Sequence, residues 1–378
     1  MTSTRLPLLA KDLFVGLEKV THLCTGGEAP WLDVFESVYS EFARLKSAGL
    51  AGRERVYEIG DECRERMGQL WGVEGKRVAF MPSAAEGMNW LARGLDWQEG
   101  DNVVTDNLEF PSVAYAWRDL VERGVEVRMV DHEDFRVDEE ALLAQVDEHT
   151  RVLAVSQVSF YTGQNLDIRK LAAGLAGTKT LLAVDATHAA GVVDVPAGVT
   201  DLCVSSSYKW LLATHGTAPC YLSERAESVT RASSFGWHNL AVWPAQRAER
   251  APTVDEKAMT MRLEPGNPAM ILVLFLHRAL ARLLDLGIER IQDHAWNLSE
   301  RADAGLTELG LTVISPSERS ARSGNTCFLA EDAAAVQQAL AKEGILVWGE
   351  YGRVRISGHL YNDDADIDHI LAVLGKLS

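Results

Sequence analysis

The sequence has no apolar run approaching the roughly 20 residues that a membrane-spanning helix requires, and its five cysteines are scattered. No Cys-x-x-Cys pair or cysteine–histidine spacing typical of zinc sites occurs, so we expect no metal centre. Basic residues are outnumbered, with 37 lysines and arginines against 54 acidic residues and a net charge of -17. Such a negative surface repels nucleic acid and anionic membranes. We therefore expect a cytoplasmic protein with reduced thiols, and neither nucleic acid nor a membrane as partner.

From about residue 77 onward, short apolar strands alternate with helical stretches. The strand-like segments are RVAFM, NVVTD, VEVRMV, RVLAVSQV, TLLAVDA, DLCVSSS and APCYLS. This alternation predicts an α/β fold with a mostly parallel sheet covered on both sides. After residue 250 the pattern changes to long helices followed by short strands, which indicates a smaller α+β domain. We expect residues 21–250 to form the large domain, and residues 1–20 with 251–378 to form the small one.

Ligands of such sheets bind beyond the carboxyl ends of the strands, and two of these ends carry ionisable side chains. Asp185 ends the segment TLLAVDA, and Lys209 follows the next strand after the run SSSY. An aspartate before a helix often only caps it. Together at one edge, however, the two residues suit pyridoxal phosphate. A desolvated lysine can form a Schiff base with its aldehyde, and a carboxylate can keep its pyridine nitrogen protonated.

The segment FMPSAAEGMNW offers a site for the cofactor's phosphate group. Small residues at a strand-to-helix turn leave backbone N–H groups facing an anion at the helix N-terminus. Ser206 and Tyr208 belong to the hydroxyl-rich run before Lys209. Their hydroxyl groups could donate further hydrogen bonds to the phosphate. Phe110 could stack on the cofactor ring, although a single phenylalanine more often belongs to a core.

Three segments, VDATHAAG, SSSYKW and VRISGHLYN, together resemble the class V aminotransferase family. The resemblance extends over nearly the whole chain, from LCTGGEAP to the C-terminal segment. The family contains cysteine desulfurases, selenocysteine lyases, kynureninases and isopenicillin N epimerase-like proteins. It implies the fold of type I pyridoxal phosphate enzymes, with a seven-stranded large domain and a smaller C-terminal domain. It also implies an amino-acid substrate and a homodimer with shared active sites.

The same resemblance implies roles for individual residues. Lys209 becomes the Schiff-base lysine and proton shuttle, Asp185 the partner of the pyridine nitrogen, and His188 a neighbour of the ring's phenolic oxygen. Arg355 matches the arginine that binds the substrate α-carboxylate. The other implied cofactor contacts are Ala84, Ala85, Phe110, Ser206, Tyr208 and, on a segment that reaches the neighbouring subunit's phosphate, Asn267. Candidate residues for an aromatic substrate wall are Phe160, Tyr161, Trp237 and His238.

The chain departs from the family pattern at several of these positions. Many relatives carry threonine at Ala85, histidine at Tyr208 and threonine at Asn267. A desulfurase would also need a thiol on a mobile loop. Cys327 instead lies in NTCFLA, which reads as a packed strand, and the segment between GILVWG and RVRIS is too short for a cysteine loop.

These features favour a lyase that eliminates at Cβ, of the C–S lyase type with a cysteine-derived substrate. A class V aminotransferase, an epimerase or a kynureninase-like hydrolase remains the alternative. A cysteine desulfurase or a non-catalytic partner protein of the same fold is less favoured.

Overall fold

A computed structural model of the protein describes residues 5–239 and 262–377. Within these ranges no helix is long and apolar enough to cross a membrane. The strands, in chain order, are β1 (Thr21–His22), β2 (Val78–Met81), β3 (Asn102–Asp106), β4 (Glu126–Val130), β5 (Thr150–Ser156), β6 (Leu181–Asp185), β7 (Leu202–Val204), β8 (Ala218–Leu222), β9 (Asn325–Leu329), β10 (Ile345–Leu346), β11 (Trp348–Glu350) and β12 (Arg353–Ser357).

Helices occupy most of the connections between these strands. They are α1 (Phe35–Ser47), α2 (Gly49–Trp71), α3 (Ala84–Gly94), α4 (Pro111–Ala114), α5 (Arg118–Val121), α6 (Glu139–Ala144), α7 (Ile168–Gly174), α8 (Glu224–Val229), α9 (Met270–Leu286), α10 (Ile288–Glu308), α11 (Ala333–Lys342) and α12 (Asp364–Leu377).

Strands β2 to β8 form one seven-stranded sheet in the order β2–β8–β7–β6–β5–β3–β4. The neighbouring pairs are parallel except for the two that β8 makes with β2 and β7. On β6, Ala183 packs into one apolar cluster, whereas Leu182 and Val184 pack into another. Both faces of the sheet are therefore covered, which is why its strands are apolar throughout. The predicted α/β fold with a mostly parallel, seven-stranded sheet is confirmed.

Among the residues that the structure describes, the largest apolar cluster joins helices α1, α2 and α9 to the loop that follows β7. It includes Phe35, Met67, Phe275 and Trp210. The rings of Phe35 and Phe275 meet edge to face with centroids 5.0 Å apart, a favoured geometry for aromatic pairs. Helix α9 thus packs with the helices of the large sheet, although it follows residue 250 in the chain.

The C-terminal part of the chain builds a separate sheet in the order β11–β12–β9, with antiparallel pairing. Its apolar cluster includes Leu298, Phe328 and Ile370 from α10, β9 and α12. The N-terminal segment joins this unit, because β1 pairs in parallel with β10 and the Leu8 N–H donates to the Leu360 carbonyl at 2.7 Å.

Candidate active site

Lys209 lies at the centre of the site, in the loop that follows β7, with 7% of its surface exposed. The next three residues, Trp210, Leu211 and Leu212, are fully buried. Burial, reinforced by the nearby Arg355 guanidinium, lowers the pKa of the Lys209 amine to about 7. A large fraction of the amine is therefore neutral near pH 7, as a nucleophilic lysine requires.

Asp185 ends the neighbouring strand β6, and its register partner on β7 is Val204. Its Oδ1 accepts a hydrogen bond from the Thr187 N–H at 2.7 Å. Burial raises the pKa of the carboxyl group, while the Thr187 hydrogen bonds and the Lys209 charge act in the opposite direction. The predicted acid and amine thus lie at the ends of adjacent parallel strands, on one edge of the sheet.

His188 lies directly against the lysine, with its Nε2 3.0 Å from the Lys209 Nζ. Burial holds the pKa of its imidazole well below the usual range, and the positive charges of Lys209, Arg355 and Arg353 lower it further. The ring is therefore neutral at pH 7. Its Nδ1 lies 3.2 Å from the Asn325 Nδ2, on strand β9 of the C-terminal sheet.

The predicted phosphate turn begins helix α3, next to the loop that carries Lys209. The Ser83 Oγ caps the helix by accepting from the Glu86 N–H at 3.2 Å, and the Ala84 N–H points to the Ser206 Oγ at 3.4 Å. Gly87 allows the helix to approach the sheet, because a Cβ there would lie only 3.0 Å from the Val204 Cγ2. The helix N-terminus that contains Ala84 and Ala85 is thus held beside the strand before Lys209, where its dipole favours an anion.

Two aromatic rings flank the amine. The Lys209 Nζ lies 5.5 Å from the Phe110 ring centroid and 5.4 Å from that of Tyr208. Phe110 is 40% exposed, and its ring meets that of Phe160 edge to face. Tyr208 stacks on His215 with centroids 3.9 Å apart. Both Phe110 and Tyr208 thus border the open side of the site, in reach of a planar ligand.

Arg355 provides a buried cation opposite these groups, on strand β12. Its Nη1 donates to the Phe160 carbonyl at 2.9 Å, and burial lowers the pKa of the guanidinium to about 10. Its Nε has no hydrogen-bond partner among the described residues. A Cβ on Gly26 would lie 3.1 Å from that Nε, so this glycine leaves space beside it. A guanidinium with an unused donor in a buried cleft is suited to a carboxylate.

Phe160 and Tyr161 contribute through their backbones as well as their rings. Their carbonyl oxygens accept from Arg353, which also lies over the Tyr161 ring with its Cζ 4.1 Å from the centroid. The two residues therefore hold both arginines of β12 against the large sheet. Their predicted contact with substrate remains a prediction.

Trp237, His238 and Asn267 lie outside the group of residues around Lys209. Trp237 and His238 line a cavity of about 240 Å³ that is bordered by helix α2. The His238 Nδ1 lies 3.2 Å from the Glu264 carbonyl, and the Asn267 Oδ1 accepts from the Tyr57 hydroxyl at 3.0 Å. The lining residues of this cavity do not include Lys209 or Arg355, so the structure does not bring Trp237 and His238 together with them.

Four further polar residues belong to this region without having been predicted from the sequence: Cys24, Glu109, Thr187 and Asn325. The Glu109 side chain accepts from the Ser156 hydroxyl at 2.6 Å. Burial and the neighbouring Asp106 raise the pKa of its carboxyl group well above the usual range. The only sequence signal for Glu109 is its position directly before Phe110. Asn325 lies on a strand that is distant in the chain from the other residues of the site.

Comparisons with known proteins identify the family and the fold. The model of the family "Aminotransferase class-V" matches residues 32–370. An uncharacterized aminotransferase of Schizosaccharomyces pombe is 26% identical, over 98% of this chain and 94% of that protein. The apo structure of a cysteine desulfurase from Thermococcus onnurineus has a TM-score of 0.89 at 19% identity and covers 100% of this chain and 99% of its own. The structure of the cystine C–S lyase C-DES with cysteine persulfide has a TM-score of 0.87 at 20% identity and covers 96% and 99% of the two chains.

The fold and the site define an enzyme of pyridoxal phosphate chemistry. The chain belongs to the class V aminotransferase family. The residues present fit the cofactor of that family: a buried amine of lowered pKa, a carboxylate one strand away, a helix N-terminus beside them and two aromatic rings flanking the amine.

Proposed function

We propose that the protein is a pyridoxal phosphate-dependent lyase that eliminates a sulfur substituent from Cβ of a cysteine-derived amino acid. The overall reaction takes one water and releases a thiol, pyruvate and ammonium. The position of the thiols is the observation that favours a lyase over a desulfurase. A desulfurase transfers sulfur to the protein and needs a reactive cysteine within the site. The amine and the cationic cleft support an amino-acid substrate.

The Arg355 guanidinium would bind the substrate α-carboxylate through its Nε, which has no hydrogen-bond partner in the part of the chain that the structure describes. Charge-assisted hydrogen bonds between guanidinium and carboxylate are roughly twice as strong as hydrogen bonds between neutral groups. Burial, and after it the charge of Arg355, lowers the pKa of the Lys209 amine. A carboxylate bound at Arg355 would lie in the same buried region as the Lys209 amine, whose pKa the Arg355 charge affects.

Pyridoxal phosphate, when bound, supplies an electron sink for the electrons left when the Cα–H bond breaks. The protein side chains provide the remaining steps. Lys209 takes the proton from Cα in its neutral form and can return it to the departing sulfur or to carbon. Asp185 would keep the pyridine nitrogen of the cofactor protonated, and His188 would donate a hydrogen bond to its phenolic oxygen.

Cysteine placement argues against transfer of sulfur to the protein. Cys327 lies within strand β9 and is fully buried, and burial raises the pKa of its thiol. Strands β11 and β12 are joined by a two-residue turn, with Glu350 paired to Arg353, so no cysteine loop fits there. The sulfur of the substrate would therefore leave as a free thiol or persulfide.

Cys24 is the cysteine whose charge affects the pKa of Lys209. It is partly buried and bridges to Ser357 of β12, and its electrostatic influence reaches Lys209. Burial raises the pKa of its thiol, although Arg355 opposes the effect. Because the thiolate is the reactive form, Cys24 is poorly prepared to accept sulfur.

We therefore expect Cys24→Ser to retain pyruvate formation within about twofold of the parent protein, because a buried thiol and a hydroxyl differ little in size. The measurement is the rate of pyruvate release from cystine and S-substituted cysteines, with sulfane sulfur on the protein assayed in parallel. Loss of turnover together with loss of protein-bound sulfane sulfur would establish a desulfurase instead.

The reaction type is tested by product analysis with a panel of β-substituted amino acids. Pyruvate, ammonium and thiol in equal amounts support the lyase, which has a precedent on this fold in the cystine C–S lyase C-DES. Accumulation of the pyridoxamine form indicates an aminotransferase, inversion at Cα an epimerase, and alanine from a kynurenine-type substrate a hydrolase. Failure to take up the cofactor, with normal folding, would indicate a non-catalytic protein.

We also propose a homodimer in which each subunit completes the partner's site. Asn267 lines a groove of about 630 Å³ together with residues of α1 and α2, on a surface that its own Lys209 does not border. A second copy placed there would bring the Asn267 amide to the partner's phosphate site. Light scattering that returns the mass of a single chain would contradict this proposal.

A further inference from the structure

His188 is held at both ring nitrogens by residues from different parts of the fold. Its Nε2 lies 3.0 Å from the Lys209 Nζ, and its Nδ1 lies 3.2 Å from the Asn325 Nδ2. The Asn325 Oδ1 in turn accepts from the Ser357 hydroxyl at 2.8 Å. These residues form an unbroken series of buried polar contacts from the C-terminal sheet to the catalytic lysine.

The direction of the Asn325 amide follows from its surroundings. A Cβ on Gly26 would lie 2.8 Å from the Asn325 Oδ1 and 3.1 Å from the Arg355 Nε, so the two atoms border the same small space. A carbonyl oxygen is stabilised on the side of a positively charged donor, and an NH₂ group is repelled by it. The amide therefore presents its oxygen to Arg355 and Ser357, and its NH₂ group to His188.

An amide NH₂ group can only donate hydrogen bonds. The Nδ1 of His188 must accept from it and so carries no proton. Since burial keeps the ring neutral, its one proton is on Nε2, and it points toward the lysine. The Lys209 nitrogen then accepts this hydrogen bond, which requires the neutral amine.

We propose that Asn325, held by Ser357, is a positioning residue that fixes the His188 tautomer and aims its Nε2 proton at the Lys209 amine. The consequence for catalysis rests on the proposed function, whereas the tautomer itself does not. The contact favours the form of Lys209 that reacts with an aldehyde and accepts a proton. When the cofactor engages Lys209, the same proton remains available for a phenolic oxygen.

The contact also connects the two parts of the molecule. Asn325 and Ser357 lie on β9 and β12 of the C-terminal sheet, whereas His188 and Lys209 follow strands of the large sheet. Separation of these sheets would remove the donor to Nδ1. The reactive state of Lys209 is therefore coupled to the close approach of the C-terminal sheet.

The test replaces the hydrogen-bond donor of Asn325 by an acceptor of the same shape. In Asn325→Asp, a carboxylate oxygen replaces the NH₂ group, so the His188 proton should move to Nδ1. The unprotonated Nε2 should then accept a hydrogen bond from the Lys209 ammonium. The tautomer is determined from the ¹⁵N shifts of the full-length, ¹⁵N-histidine-labelled protein, with His188 assigned by His188→Gln. We expect the Lys209 pKa, measured from the pH dependence of the rate of cofactor uptake, to rise by about 1 to 2 units.

Other charges near the lysine are unchanged by this substitution: Arg355 lowers the pKa of Lys209, and Asp185, Glu28 and Cys24 raise it. Ser357→Ala provides a variant without added charge. The Asn325 amide is then no longer held by Ser357, so the His188 ring should populate both of its tautomers. Thr326→Val is the matched control on the same strand, because Thr326 bonds to Ser299 and not to His188. It should retain the parent tautomer and pH profile.

A parent His188 with its proton on Nδ1, or an Asn325→Asp protein with its proton still on Nε2, would overturn the proposal. The same outcomes leave the reaction type untouched. Conversely, a protein that shows the expected tautomers but forms no pyruvate would refute the lyase and retain the role of Asn325.

Discussion

Replacement of Lys209 by alanine is expected to lower turnover by at least about 10³-fold, because a positioned proton-transfer group contributes about 10² to 10⁴ and the covalent attachment is lost as well. The visible absorbance of the lysine–cofactor bond should disappear at the same time. The measurement is the absorbance spectrum of the loaded protein together with the rate of product formation.

The pH dependence of cofactor uptake provides a second measure of the same residue. Burial and Arg355 lower the pKa of Lys209 to about 7, and only the neutral amine attacks an aldehyde. The rate should therefore rise about tenfold per pH unit below this value and level off above it. A lysine with the ordinary pKa would continue to gain rate far into the alkaline range.

Lys170→Ala is a suitable control, since Lys170 is a solvent-exposed lysine of α7 that pairs with Glu140. It should change neither colour nor turnover. Retention of both in Lys209→Ala would exclude the assignment of the catalytic lysine.

Arg355→Leu is expected to lower kcat/KM by about 10² to 10³-fold, mostly through KM, since truncating a buried charge pair costs about 2 to 5 kcal/mol. Arg355→Lys keeps the charge but not the planar donor pair, so it should recover only part of the loss. The measurement is steady-state kinetics with the best substrate of the panel, with a thermal melt of each variant to establish that it folds.

A linked effect distinguishes carboxylate binding from a general loss of charge. Because Arg355 lowers the pKa of Lys209, its removal should move the pH profile of cofactor uptake to higher pH. A variant that shifts this profile but leaves KM unchanged would keep Arg355 as an electrostatic neighbour and remove it from substrate binding.

Sequence reasoning could predict the large sheet because its strands are apolar on both faces and alternate with helices. Lys209 and Asp185 could be placed on one edge for the same reason, since parallel strands end together. The family resemblance added His188 and Arg355, which the structure brings to the same site. The helical stretch expected between NVVTD and VEVRMV is divided into two short helices, α4 and α5, and Tyr115 at the end of α4 is exposed.

Other features depend on distances that sequence patterns do not contain. Asn325 meets His188 across an interval of 137 residues, and nothing in NTCFLA distinguishes its first residue from an ordinary strand polar residue. The separation of Trp237 and His238 from Lys209 was equally unpredictable, because a loop's composition does not determine which cavity it borders.

The stretch that contains Cys24 and Gly26 has a consequence for how the substrate range of this protein can change. Its backbone is bound at one end to the C-terminal sheet through Ser357 and at the other end to the loop of Lys209, where the Ala29 N–H donates to the Tyr208 carbonyl at 3.2 Å. This short segment therefore forms a wall of the cleft without contributing a strand to the large sheet. Engineering that exchanges it can remodel the cleft while the strand ends that hold Asp185 and Lys209 stay unchanged.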